Sequence, residues 1–182
     1  MQLENSLKNI EKAREILSNE KQYFSGIDAL DNHLKYFYSD KKYLFVAQSG
    51  MGLFSFANTL ETNIRNLYNV PYFTVNIIDE STDLKELDMQ IHNINIYSIE
   101  SEKPTSIESS DLPNKILDFF DEIFALYRPE YFGIDVGQNG LKTLNKIELI
   151  NLKTTSDREN KTLCLNIDKE NKKVSSISKK YF

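Results

Sequence analysis

Residues Ala47 to Phe54 read AQSGMGLF, and they sit between a short apolar run, YLFV, and the long amphipathic segment LFSFANTLETNIRNLY. A strand, a glycine turn and a helix in that order is the arrangement in which backbone N–H groups and a helix N-terminus cradle phosphate, while a Lys and a Ser/Thr complete the site. Set against the pattern Ala/Gly, four residues, Gly, Lys, Ser/Thr, Ala47 and Gly52 take the fixed positions, with Gln48, Ser49, Gly50 and Met51 between them. Leu53 stands where the Lys belongs and Phe54 where the Mg²⁺-binding hydroxyl belongs. Phosphoryl transfer depends on that Lys and that metal to neutralise charge on the phosphates. The loop therefore has a phosphate-binding shape without the matching side chains.

The remaining reactive residue types are isolated. His33 and His92 have no second His or Cys at ligand spacing, so no metal site is expected. Cys164 lies in the alternating run TLCLNI and reads as a small buried or half-buried side chain. Tyr36, Phe37 and Tyr38 read as core with one exposed member, and no nucleophile-elbow pattern is present.

The elements around the loop follow from periodicity. Leu3, Leu7, Ile10 and Leu17 are spaced as a narrow helical stripe, which either caps its own domain or docks on a neighbouring subunit. A short helix is expected around Ala29 to Tyr38, then a strand over Tyr43 to Ala47. Tyr72 to Ile78 and Tyr131 to Ile134 are continuous apolar runs; with Tyr43 to Ala47 they are expected to be adjacent parallel strands at the sheet centre. Ile94 to Ile99 is a further short strand, and about Asn114 to Tyr127 reads as a buried helix. The end of the chain, from KIELINLK through TLCLNIDK to VSSIS, reads as an antiparallel meander.

At 182 residues and 40% hydrophobic content the chain suits one main domain: an N-terminal helix over 1–21, a domain over 22–177 and a basic tail over 178–182. No run approaches ~18 apolar residues, so no membrane partner is expected, and one cysteine with no secretory leader points to the cytoplasm. The net charge of -5 speaks against a generally basic nucleic-acid binder. It is unevenly spread, however: residues 141–182 carry ten Lys/Arg against five Asp/Glu, and the rest of the chain 12 against 22.

The order of these pieces resembles the RecA-like ATPase domain of the DnaB-type replicative helicases. SGIDALDNHL resembles the segment ahead of the phosphate loop, and AQSGMGLFSFA its Walker A region. YFTVNII running into DESTDLKEL resembles the strand and acidic turn that hold the catalytic Glu, INIYSIESEKPTSIESS the next strand and loop, YFGIDVGQNG the Walker B strand, and IELINLKTTSDRENKTLCLNIDKENKKV the C-terminal hairpin. The resemblance spans roughly residues 22 to 177. It implies an α/β fold of RecA-like, P-loop NTPase type: a mainly parallel sheet flanked by helices, with an antiparallel C-terminal hairpin. It implies that Asp135 is the Walker B acid, that Asp79 or Glu80 is a relic of the catalytic acid, and that Lys153, with Arg158 nearby, matches an intersubunit Lys-x-Arg pair. Thr155 takes the place of that Arg, and the chain between Gly140 and Ile147 is shorter than in the family.

Together these features read as an inactive relative, not an enzyme, that needs no cofactor. It would bind a protein partner or itself, as adaptor, inhibitor or structural subunit in a DNA replication or recombination assembly. One alternative is a residual ATPase that binds ATP with Mg²⁺ using a neighbour's residues. The other is a nucleic-acid-binding module that uses the basic C-terminal region.

Overall fold

Residues 8, 11–12, 15, 22–38, 41–70, 75–79, 81–84, 94–99, 105–137, 140, 142–154 and 162–177 are described by the computed structural model. Tyr43–Gln48 (β3) has all six side chains buried, as a strand covered on both faces must. It is flanked by two parallel neighbours, Ile94–Ile99 (β5) and Glu122–Tyr127 (β6). Asn76–Ile78 (β4) adds to β5, while Lys146–Lys153 (β7), Leu163–Asp168 (β8) and Lys173–Ser176 (β9) extend the β6 side antiparallel. Among the described residues the sheet order is β4-β5-β3-β6-β7-β8-β9.

Each face of the sheet carries its own core. On one, Phe45, Ala47, Phe124, Leu149 and Leu165 pack under the helices Asp28–Leu34 (α1) and Leu53–Leu67 (α2). α2 buries Leu53, Phe56, Ala57, Leu60 and Ile64, the i, i+3, i+4 spacing of one helical face. On the other face, Leu44, Val46, Ile123 and Ala125 pack against Ile116 of the short helix Asn114–Phe119 (α3) and against Phe120. Thr59 on α2 accepts from the Val174 amide at 3.0 Å and so ties the outer strand β9 to the helix layer.

Three expectations are corrected. The helix expected to reach Tyr38 stops at Lys35, whose φ of 65° breaks it; Phe37–Tyr38 (β2) instead pairs antiparallel with Gln22–Tyr23 (β1). The helix expected through Tyr127 ends at Phe119, because the Asp121 and Glu122 amides both donate to the Lys42 carbonyl and turn the chain into β6 alongside β3. A run such as EIFALY, apolar at every position but the first, gives no periodicity to separate strand from helix. Finally, of the three strands expected side by side at the centre, only β3 is there. Tyr131 to Ile134 is no strand: Pro129–Phe132 forms a 3₁₀ turn that ends at Gly133 with φ 72°. β4 is an edge strand of three residues, and 71–74 lie outside the described residues.

Lys8, Glu11, Lys12 and Glu15 are helical and exposed. The stripe residues Leu3, Leu7, Ile10 and Leu17, together with His92, Thr155 and the tail 178–182, lie outside the described residues. Of the aromatic trio, Phe37 is buried and Tyr36 and Tyr38 are half-buried; Cys164 is half-buried as well. No helix among the described residues is long and apolar enough to cross a membrane.

Candidate functional site

The glycine turn forms as its sequence requires. Gly50 and Gly52 hold φ values of 82° and 89°, a region that favours glycine, and the Phe56 amide bonding to the Gly52 carbonyl at 3.0 Å begins α2. Both glycines are also closely approached. A Cβ on Gly50 would meet the Tyr131 ring at 3.0 Å, and one on Gly52 would meet the Ile167 and Ile147 side chains at 2.9 and 3.3 Å. Met51 is buried in the core beneath.

The two substituted positions part ways. Leu53 is 5% exposed and belongs to the core, whereas Phe54 is 60% exposed. Both line a pocket of about 350 Å³ with Gln48, Ser49, Gly50 and Gly52 of the turn. Of the two residues that stand in place of the lysine and the hydroxyl, the structure packs Leu53 inward and leaves Phe54 largely in solvent.

What meets the turn from β6 is a cation. Arg128 follows β6 directly, is nine-tenths buried, and donates to the Gly50 carbonyl at 3.4 Å. It also donates to Glu130 Oε1, which Lys169 contacts at 3.2 Å, while Glu130 Oε2 accepts from the Asn145 amide at 2.9 Å. One carboxylate thus joins the end of β6, the start of β7 and the β8–β9 turn. Burial pushes the Glu130 carboxyl up, but hydrogen bonds from Arg128, Asn145 and Lys169, with the Arg128 charge, hold it below its usual 4.5. A carboxyl lowered by folding stabilises the protein above its unfolded value and loses that contribution as pH falls through the folded one. Glu130→Gln is expected to cost about 1–2 kcal/mol near neutral pH in urea unfolding, the scale of hydrogen bonds to a charged group. The difference from the parent chain should close below pH 4.5; a difference that persists undiminished in acid would contradict this role.

The other candidate residues lie apart from the loop. Asp135 is exposed on an outlying hairpin, where its carbonyl accepts from the Thr143 amide at 3.1 Å, and does not end a strand next to β3. Asp79 follows β4; its carboxylate accepts from the Ser81 and Thr82 hydroxyls and the Ser81 amide, which hold it below the usual range. Lys153 caps the end of α3, donating to the Leu117 and Phe120 carbonyls at 2.5 and 2.7 Å. Glu80 and Arg158 lie outside the described residues. Among the described residues, no three His, Cys, Asp or Glu side chains converge as a metal-ligand set.

The described lining of this pocket does not fit ATP with Mg²⁺: among the described residues no carboxylate lines it, Phe54 has no hydroxyl, and the turn has no lysine of its own. Its cations among the described residues are Arg128, Lys169 and Lys172, all missed by sequence reasoning. The signals were there: Arg-Pro-Glu closing an apolar run, and the basic turn DKENKK between two strands.

No protein-family model matches the chain, and no curated protein matches it by sequence. Solved structures do match. One is a DnaB-like replicative helicase, described together with its interactions with primase, at TM-score 0.64 and 12% identity over 85% of this chain. This chain spans 63% of that helicase chain. Another is a protein solved as its ATPase domain, at TM-score 0.59 and 13% identity, covering 97% of this chain and 99% of that one. At such identity the likeness is one of fold. The fold is RecA-like, as the sequence resemblance implied.

Proposed function

We propose that this chain is a RecA-like domain that works by binding protein and not by phosphoryl transfer. The observation that carries the reading is at the loop: α2 starts with a buried Leu53 and an exposed Phe54, and β6, one of the two strands beside β3, is followed by Arg128. Catalysis of this type needs a positioned lysine, a metal and its carboxylate. By analogy of fold with replicative helicase domains, the setting is a DNA replication or recombination assembly in the cytoplasm, where the chain acts as adaptor, inhibitor or structural subunit.

The N-terminal stripe is the contact we assign to association. At ~25 cal/mol per Å² of apolar area, four docked aliphatic side chains contribute several kcal/mol, enough to bias association but not to fix it alone. Light scattering at tens of micromolar is expected to give a mass above the monomer for the full chain, and a lower one after deletion of residues 1–20. A full chain that is monomeric, and equally so when truncated, would remove self-association from this reading and leave a different protein as the partner.

A further inference from the structure

Half of the large apolar side chains that are exposed among the described residues fall in one stretch of the chain: Tyr131, Ile134, Val136 and Leu144, at 58, 38, 55 and 65% exposure. Apolar residues exposed singly need no explanation, but a group of them marks an interaction surface. The last three belong to the outlying hairpin over 133–144, with Tyr131 just ahead of its base.

The hairpin is held by bonds of its own. Gly133, at φ 72°, turns the chain out of the 3₁₀ turn; the Gly140 amide donates to the Gly137 carbonyl at 2.9 Å near the tip, and Val136 pairs antiparallel with Lys142. Thr143, 3% exposed, closes the base: its amide donates to the Asp135 carbonyl at 3.1 Å and its hydroxyl to the Ile134 carbonyl. Side chains alternate along a strand, so Ile134 and Val136 share one side, and Lys142 stands opposite Val136 on that side. A two-stranded ribbon is marginal in water by itself, and one that turns apolar side chains outward gains from being covered.

Charge and size decide what covers it. The sequence GIDVGQNGLKTL holds one acid, Asp135, and one base, Lys142, and both are exposed. A single cation is a poor match for a phosphate backbone or an anionic lipid surface. One charge of each sign is instead complementary to itself, because across a two-fold axis every contact is made twice and Asp135 of each copy can meet Lys142 of the other. A few apolar side chains also suit the smallest class of interface, below about 1,200 Å², and not a permanent complex of about 2,000 Å² or more.

We propose that the hairpin is a self-association site whose occupant is the same hairpin of a second copy of this chain, with Ile134, Val136 and Leu144 packed against their counterparts and Asp135 paired with Lys142 between copies. The contact is separate from the N-terminal stripe, and it rests on the reading of the chain as a domain that works by binding protein.

Sedimentation equilibrium of the full chain across the micromolar range tests this by charge reversal. Asp135→Lys and Lys142→Asp are each expected to weaken self-association about tenfold, because like charges replace opposite ones at both symmetric positions, and an equimolar mixture of the two variants is expected to regain the parent's association. Val136→Ser/Leu144→Ser is expected to weaken it by at least as much. All four positions are exposed, so urea unfolding of each variant should stay close to the parent's. The proposal is overturned by a mixture that associates no better than either variant alone, by an apolar variant that associates like the parent, or by a full chain that stays monomeric throughout. Deletion of residues 1–20 separates the two contacts. Association that survives the deletion but is lost in the hairpin variants keeps this contact and removes the stripe, and the converse keeps the stripe and overturns this one.

Discussion

Gly52→Val is expected to cost about 4 kcal/mol of stability, the sum of a β-branched residue forced to positive φ and an overpacked core. At φ 89° the backbone suits glycine, and the Cβ alone would stand 2.9 Å from Ile167 and 3.3 Å from Ile147. Those two side chains belong to β8 and β7, so the substitution would push the antiparallel half of the sheet away from the loop that begins α2. Gly133→Val is the control: it has a similar φ of 72°, but nothing among the described residues lies within 4 Å of where its Cβ would stand. It should carry only the backbone part of the penalty, about 1–3 kcal/mol. Urea unfolding of the two variants checks this, and equal losses would show that the contact with β7 and β8 is not tight.

Phe45→Ala is expected to be as damaging, at about 4 kcal/mol, the usual range for deleting a fully buried aromatic ring. Phe45 is 0% exposed at the middle of β3. Its ring lies 4.9 Å from Phe56 of α2, 5.4 Å from Phe124 of β6 and 6.3 Å from Phe37 of β2, so one cavity would loosen the helix layer, the neighbouring strand and the small β1-β2 ribbon together. Phe54→Ala, on the same loop but mostly in solvent, should change stability by less than about 0.5 kcal/mol. A Phe45→Ala variant that unfolds within about 1 kcal/mol of the parent would mean that the two-faced core is not centred on β3.

The contrast between Phe45 and Phe54 also shows what the sequence made legible. YLFV followed by a glycine turn and a helical stripe places β3, the turn and α2 with no further information, because burial on both faces and a 3.6-residue period are local signals. The alternating runs of the C-terminal meander are equally local. EIFALY carried no such signal, and its strand state is settled by β3 alongside and by the Lys42 carbonyl that turns the chain. Misplacing that one run moved the expected strand end from Tyr127 to Asp135, and with it the expected acid. The cationic side of the pocket was hidden for a related reason. Arg128, Lys169 and Lys172 come from two places 41 or more residues apart, and only the order β6-β7-β8-β9 brings them together.

The most direct test of the account is ATP turnover by the purified full chain with Mg²⁺, followed across a wide range of protein concentration. No hydrolysis above the protein-free rate is expected at any concentration, because Leu53 and Phe54 stand where the loop needs a lysine and a hydroxyl, and the carboxylate after β6, Glu130, is held by Arg128 and Lys169. Turnover that rises more steeply than protein concentration and disappears in Asp135→Asn would contradict the account, since it would mean that a second copy completes the site.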